Sequence, residues 1–282
     1  MIASHFSDDP EALDWLLDQG VDITRTDIHK TVGGRRLPHN GEGRGSFDYS
    51  LKILNTIAER GNSHLFDHMV SRGAGPLRSL ALHRASKCED AEKSIAMIHH
   101  LLDKYHMDIE AHSKALRPTI HFVGGSGTPL VCAVWYKNIA AVKHLLNRGA
   151  DPEPAIVLAI GRATAPHGWL PAVGPLLEAG ADANCALEAA VDRKNLKAAK
   201  LCVAYGADSS VMYEKLQLRA RRKAAGLEIV ASDEEDYGEY HSSGDDEEES
   251  EKRTQIKKFL RAATEDRRDT LRWYVADHNS SS

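Results

Sequence analysis

One seven-residue phrase recurs along this 282-residue chain, and it restricts the fold more than any other feature. It reads Leu145-Leu146-Asn147-Arg148-Gly149-Ala150-Asp151, then Leu176-Leu177-Glu178-Ala179-Gly180-Ala181-Asp182, then Cys202-Val203-Ala204-Tyr205-Gly206-Ala207-Asp208. A weaker copy, Leu16-Leu17-Asp18-Gln19-Gly20-Val21-Asp22, stands near the start. Each copy closes an apolar helical stretch and places Gly where a left-handed cap needs no Cβ. A phrase that returns at this interval marks repeated helix-turn-helix units. Such a unit cannot bury its apolar side alone, so it is stable only against its neighbours.

The helices that lead into these endings can be read in the same way. Thr128-Pro129 opens a short helix through Val134, with Pro in the first turn, where its missing N–H costs nothing. The following helix, from Ile139, repeats apolar residues at Val142, Leu145 and Leu146; Ala199 and Cys202 recur likewise in a later one. Ala81–Ser86 reads as another first helix, and Ile95–Leu102 as its partner, ending at Tyr105-His106-Met107-Asp108. Residues 51–75 form a further pair, with Gly61 at the inner turn and Gly73-Ala74 at the outer one. Residues 155–182 form one more, with extra residues near Arg162–Pro166 at its inner turn.

These residues resemble the ankyrin family, whose repeat opens with Thr-Pro-Leu-His and closes with Leu-Leu-x-x-Gly-Ala-Asp. Residues 128–151 match without a gap, except that Val131 stands in place of the His. Leu187–Asp208 match as well, and the resemblance covers roughly 1–210. It implies an all-α fold, an ankyrin-repeat solenoid of about six helix-turn-helix repeats. It also implies a non-enzymatic scaffold that binds a partner protein through a concave face and fingers. His83 occupies the family's first-helix His position, which implies a structural hydrogen bond.

The repeats are uneven. Asp151 to Asp182 spans 31 positions and Asp182 to Asp208 spans 26, against a family period of about 33. The deficit falls in the fingers after Asp151 and Asp182, which should leave the concave face accessible there. Two fingers, 24–50 and 109–127, are long instead. The Gly-rich 33–45 reads as disordered in preference to a binding loop. Pro10–Asp22 aligns with a second helix whose first helix, Met1–Ser7, is too short. The expectation is a chain that starts inside a repeat, either as a piece of a longer protein or with an uncapped apolar face open to self-association. Val211–Ala225 reads as a charged capping helix, with Arg219, Arg221, Arg222 and Lys223 complementing its dipole.

Charge divides the remainder. Residues 233–251 hold eleven acids and no Lys or Arg, so a net charge of −5 conceals a body of +6. With little aliphatic content, 228–251 reads as a disordered acidic linker between a repeat domain, 1–227, and a basic amphipathic helix, 252–278. Ser232, Ser242 and Ser243 each have an acid three residues on, the pattern acidophilic kinases favour. In the last helix Ile256, Phe259, Leu260 and Ala263 form a stripe that Leu271, Tyr274 and Val275 continue. Lys252, Arg253, Lys257, Lys258 and Arg261 take the other face. Docking onto the repeats and binding a partner both remain open for this helix.

Several functions find no support in the sequence. No run of 18 apolar residues could span a membrane. The cysteines, Cys88, Cys132, Cys185 and Cys202, are widely spaced, which fits a reducing cytosol or nucleus. There is no phosphate loop, nucleophile elbow or zinc-protease motif, so no catalytic residue, cofactor or metal is assigned. His64 and His68 stand i, i+4 without a third ligand and read as surface or packed histidines. Scattered basic residues and an acidic tail argue against nucleic acid. By alignment, Trp135, Tyr136, Lys137, Asp192 and Arg193 sit exposed on first helices and inner turns and are the candidate protein-binding residues. Two other readings compete: an electrostatic regulator acting through the acidic tail, and the targeting module of a larger enzyme or ubiquitin-ligase component.

Overall fold

The computed structural model describes residues 9–20, 31–32, 35–36, 52–113, 127–161, 169–224 and 246–279. Ser232, Ser242 and Ser243 lie outside them, as do 37–51, 114–126 and 162–168. The chain divides into two compact units: residues 1–159 with 174–181, and residues 160–173 with 182–282.

The first unit holds α1 (Pro10–Asp18), the two-residue strands β1 (Thr31–Val32) and β2 (Arg35–Arg36), α2 (Lys52–Arg60), α3 (Ser63–Ser71) and a 3-10 turn at Pro76–Arg78. It continues with α4 (Ala81–Ala85), α5 (Ala91–Tyr105), α6 (Pro129–Trp135), α7 (Ile139–Asn147) and most of α8 (Glu153–Ile160). Helix α9 (Leu170–Glu178) contributes residues to both units. First helices pack on first helices, α2 on α4 and α4 on α6, while second helices pack α3 on α5 and α5 on α7. The shared core is made by Leu54, Phe66, Met69, Met97, Ile98, Leu101, Leu130 and Leu145, all fully buried.

Each turn is set by its own residues. Thr128 caps α6 by accepting from the Val131 N–H, with Pro129 in the first turn. At the inner turns Asn62, Asn138 and Asn195 accept from the N–H three residues on and so cap α3, α7 and α11. The residue before each of these asparagines has positive φ: Gly61 at 70°, Lys137 at 58° and Lys194 at 55°. Asn138 also donates to the carbonyls of Ser86 and Cys88, at 3.2 and 3.0 Å, tying its repeat to the one before. At the outer turns Gly149, Gly180 and Gly206 are left-handed, and the Ala after each is buried. His106, at φ 51°, takes that role where Gly is missing.

The short fingers have a specific form. Asp151 accepts from the Glu153 N–H, Asp182 from Asn184 and Asp208 from Ser210. The Asp that ends one repeat therefore caps the first helix of the next, and no residues remain to build a finger. The first finger differs from its expected disorder. Within 33–45, Arg35–Arg36 pair antiparallel with Thr31–Val32; residues 33–34 and 37–45 lie outside the described residues.

The second unit contains α10 (Ala183–Asp192), α11 (Leu196–Ala204), α12 (Ser209–Ala224) and α13 (Asp246–Asn279). Helix α13 packs on α12 and touches α11. Ile256 and Leu260 of the expected stripe are buried with Thr264, and Phe259 and Ala263 are half-buried. Helix α13 thus stands as second helix to α12 and completes a terminal repeat. It begins at Asp246 rather than 252, so residues 246–251 are helical and not part of a disordered linker. Leu271, Tyr274 and Val275 have a described backbone only. Lys215 pairs with Glu188, and Arg219 with Glu188 and Asp192, so α12 is fastened to α10 by its cations.

Candidate functional site

On the second helices of the first unit, the carboxylates Asp14, Asp67 and Asp103 are paired with neighbouring side chains. Asp14 of α1 pairs with His68 at 2.9 Å and with Arg72 at 3.5 Å. Asp67 of α3 accepts from His100 at 2.7 Å and from Tyr105 at 2.5 Å, and pairs with Lys104 at 2.8 Å. Burial raises the Asp67 carboxyl, but the hydrogen bonds from Lys104, Tyr105 and His100 outweigh it and hold the pKa below the ordinary value. Asp103 of α5 is bridged by Arg148, which caps the end of α7 and whose hydrogen bond lowers the Asp103 pKa as well. His68 is therefore engaged by a carboxylate, and among the described residues no group of three His, Cys, Asp or Glu could hold a metal.

The first-helix face differs. Trp135 ends α6 and is 37% exposed; Tyr136 caps the helix at 36%. Lys137 follows in the left-handed region and is exposed. The three form one turn that presents two aromatic rings and an ammonium group. Aromatic residues of this kind are enriched among the residues that dominate binding at protein interfaces. Val157, on α8, is a further exposed apolar residue at 38%.

Three charged residues that sequence reading had passed over surround this turn. Lys87 lies with its Nζ 5.3 Å from the centre of the Tyr136 ring, a cation–π contact. The same Nζ donates to Glu59 at 2.6 Å, and Arg84 reaches the other Glu59 oxygen at 3.5 Å. Lys87 is two residues past α4, as Lys137 is two past α6. Aligning the inner turns of successive repeats would have revealed this.

Asp192 and Arg193 belong to the second unit. Asp192 ends α10 and accepts from Arg219 at 2.8 Å. Arg193 is half-buried and donates to the Ala189 carbonyl at 3.4 Å. The sequence placed both on a recognition face; the structure engages them within their own unit. Of the five candidates, Trp135, Tyr136 and Lys137 stand together on one turn; Asp192 is exposed as well and carries a solvent-accessible ion pair.

His83 is buried, and its Nε2 lies 3.0 Å from the Gly127 carbonyl, a structural bond across the repeat boundary. That contact closes the repeat that the ankyrin repeat family model matches, residues 127–155. The chain carries an ankyrin repeat. Its helix-turn-helix repeats are of the ankyrin-repeat solenoid class, and ankyrin repeats are in general protein–protein interaction modules. The ankyrin repeat domain of human ASB11, known from its crystal structure, is similar at 17% identity. The similarity spans 70% of this chain and 79% of that domain, with a TM-score of 0.45. No curated protein matches the sequence.

Proposed function

We propose that this chain is a non-enzymatic adaptor that seats a partner protein on the first-helix face of its first unit, at Trp135, Tyr136 and Lys137. One observation carries the reading. This is the turn where two aromatic side chains stand open beside cations, while Asp14, Asp67 and Asp103 on the second helices are paired within the unit. The missing finger after Asp151 favours access to the neighbouring α8, where Val157 is exposed. Fingers and the electrostatic tail take a lesser part in this reading. Residues 246–251, part of the acidic run, begin a helix that serves as a cap.

The partner is a protein, and neither nucleic acid nor a membrane is assigned. No helix among the described residues is long and apolar enough to cross a membrane. All four cysteines are free, which favours a reducing compartment, cytosol or nucleus. Self-association through α1 belongs to the same proposal, since its Trp15 is 62% exposed. The test of the main reading compares proteins captured from cell extract by the wild-type chain and by the Trp135→Ala, Tyr136→Ala double variant. The double variant should lose the principal partner. An unchanged set of captured proteins, with the variant folded, refutes the assignment.

A further inference from the structure

We propose that the Trp135–Tyr136–Lys137 turn takes an acidic peptide segment with an apolar anchor, and that Glu59 holds the place of the incoming carboxylate. This deepens the proposed function and rests on it. The charges around the turn are unequal. Arg84, Lys87 and Lys137 supply three cations, against the carboxylate of Glu59. Asp90 is committed elsewhere: it caps α5 through the Glu92 and Lys93 N–H groups and lies 3.8 Å from the Lys93 ammonium. Lys137 has no carboxylate within ion-pair distance among the described residues.

Glu59 bridges two of these cations. It comes from the end of α2 and spans to Arg84 and Lys87 of the next repeat. All three side chains keep contact with water, at 25–34% exposure, so the pairs are screened and exchangeable. Lys87 lies between Glu59 and the Tyr136 ring. A partner carboxylate arriving beside Tyr136 would meet an ammonium group already oriented by the ring. It would displace Glu59 rather than organise the site anew. The neighbouring Trp135 gives an apolar side chain of the same peptide a surface to cover.

The second unit shows the contrast. There Glu188 and Asp192 stand on a first helix, and Lys215 and Arg219 of α12 neutralise them. Among the described residues that surface shows no open cation–aromatic pair, and it is not assigned to the acidic ligand.

The test uses two fluorescein-labelled twelve-residue peptides with the same Leu and Trp positions. One carries Asp and Glu between them, the other Lys. Each is titrated into the full chain and followed by anisotropy. The acidic peptide should bind and the basic one should not, and binding should weaken as salt rises. Lys87→Ala should weaken the acidic peptide about tenfold, the loss of one charge-assisted bond. Glu59→Gln should tighten it severalfold, because it removes the internal competitor. Equal binding of both peptides, abolished by Trp135→Ala with Tyr136→Ala, overturns the acidic preference while the face stands. Binding indifferent to that double substitution overturns the face itself. Glu59→Gln that weakens or leaves binding unchanged overturns the place-holding role.

Discussion

Asn138 offers the sharpest test of how the repeats are joined, because its two side-chain ends do different work. Its Oδ1 caps α7 at the Ala141 N–H, 3.1 Å away. Its Nδ2 donates to the carbonyls of Ser86 and Cys88 and lies 3.0 Å from the Ser94 hydroxyl. Asn138→Ala removes both ends. Loss of the cap costs about 1 kcal/mol. Two part-buried carbonyls left without a donor cost about 1 kcal/mol each. The expected total is about 3 kcal/mol. Asn138→Asp keeps the shape and the cap, but it turns a carboxylate oxygen toward those carbonyls. It should therefore cost at least about 2 kcal/mol even though Asp is as good a cap as Asn. Urea unfolding followed by circular dichroism measures both variants, and hydrogen exchange locates the loss. Protection should fall in α5 and α7 together, since the bond spans their repeats. If Asn138→Asp matches the wild type, the donor end contributes nothing, and the account of how repeats are tied together is wrong.

Other consequences follow from single contacts. Gly61→Ala would put a Cβ 2.6 Å from the Lys93 Cβ at φ 70°, so a loss of about 1–3 kcal/mol is expected in urea unfolding. Leu260→Ala removes a fully buried contact of α13 and should cost about 2–5 kcal/mol, with exchange protection lost in 250–266 and kept in 52–105. Asp67 has a folded pKa below its unfolded value, so its contribution is present above the unfolded pKa and disappears as pH falls through the folded one. Asp67→Asn should therefore lower stability at pH 7 and flatten its decline in acid; an unchanged acid profile would contradict the network. Trp15→Ala should reduce any concentration-dependent association seen by sedimentation.

Much of this was legible in the sequence because it rests on local chemistry. The Gly-Ala-Asp endings mark a left-handed cap followed by a buried Ala, and both features are present at 149–150, 180–181 and 206–207. Thr128-Pro129 starts a helix for reasons contained in those two residues. The i, i+3, i+4 pattern at Ile256, Phe259 and Leu260 identified the inward stripe of α13. What it packs against was not legible, because an apolar stripe does not say which surface covers it. The helix start at Asp246 was missed since composition alone made 228–251 a solvated tract. Its acids suit a helix N-terminus, where negative charge is stabilised. The inner-turn asparagines were also missed. A residue with positive φ followed by Asn recurs at 61–62, 137–138 and 194–195, but with Gly or Lys first, so letter matching alone did not align them.

The candidate site was half visible. Trp135 and Tyr136 stood out as aromatic residues at positions that alignment leaves exposed. Asp192 was read as open, but its partner Arg219 is 27 positions away and belongs to a helix read only as a cap. Long-range pairing of this kind depends on stacking geometry, which the spacing of motifs does not contain.

The most direct measurement places a photo-crosslinking amino acid at position 137 and, separately, at position 143 on α7, where Lys143 is also exposed. A protein captured by the wild-type chain should crosslink from position 137 and not from 143. Crosslinking of that protein from 143 alone would put recognition on the second-helix face and contradict the account.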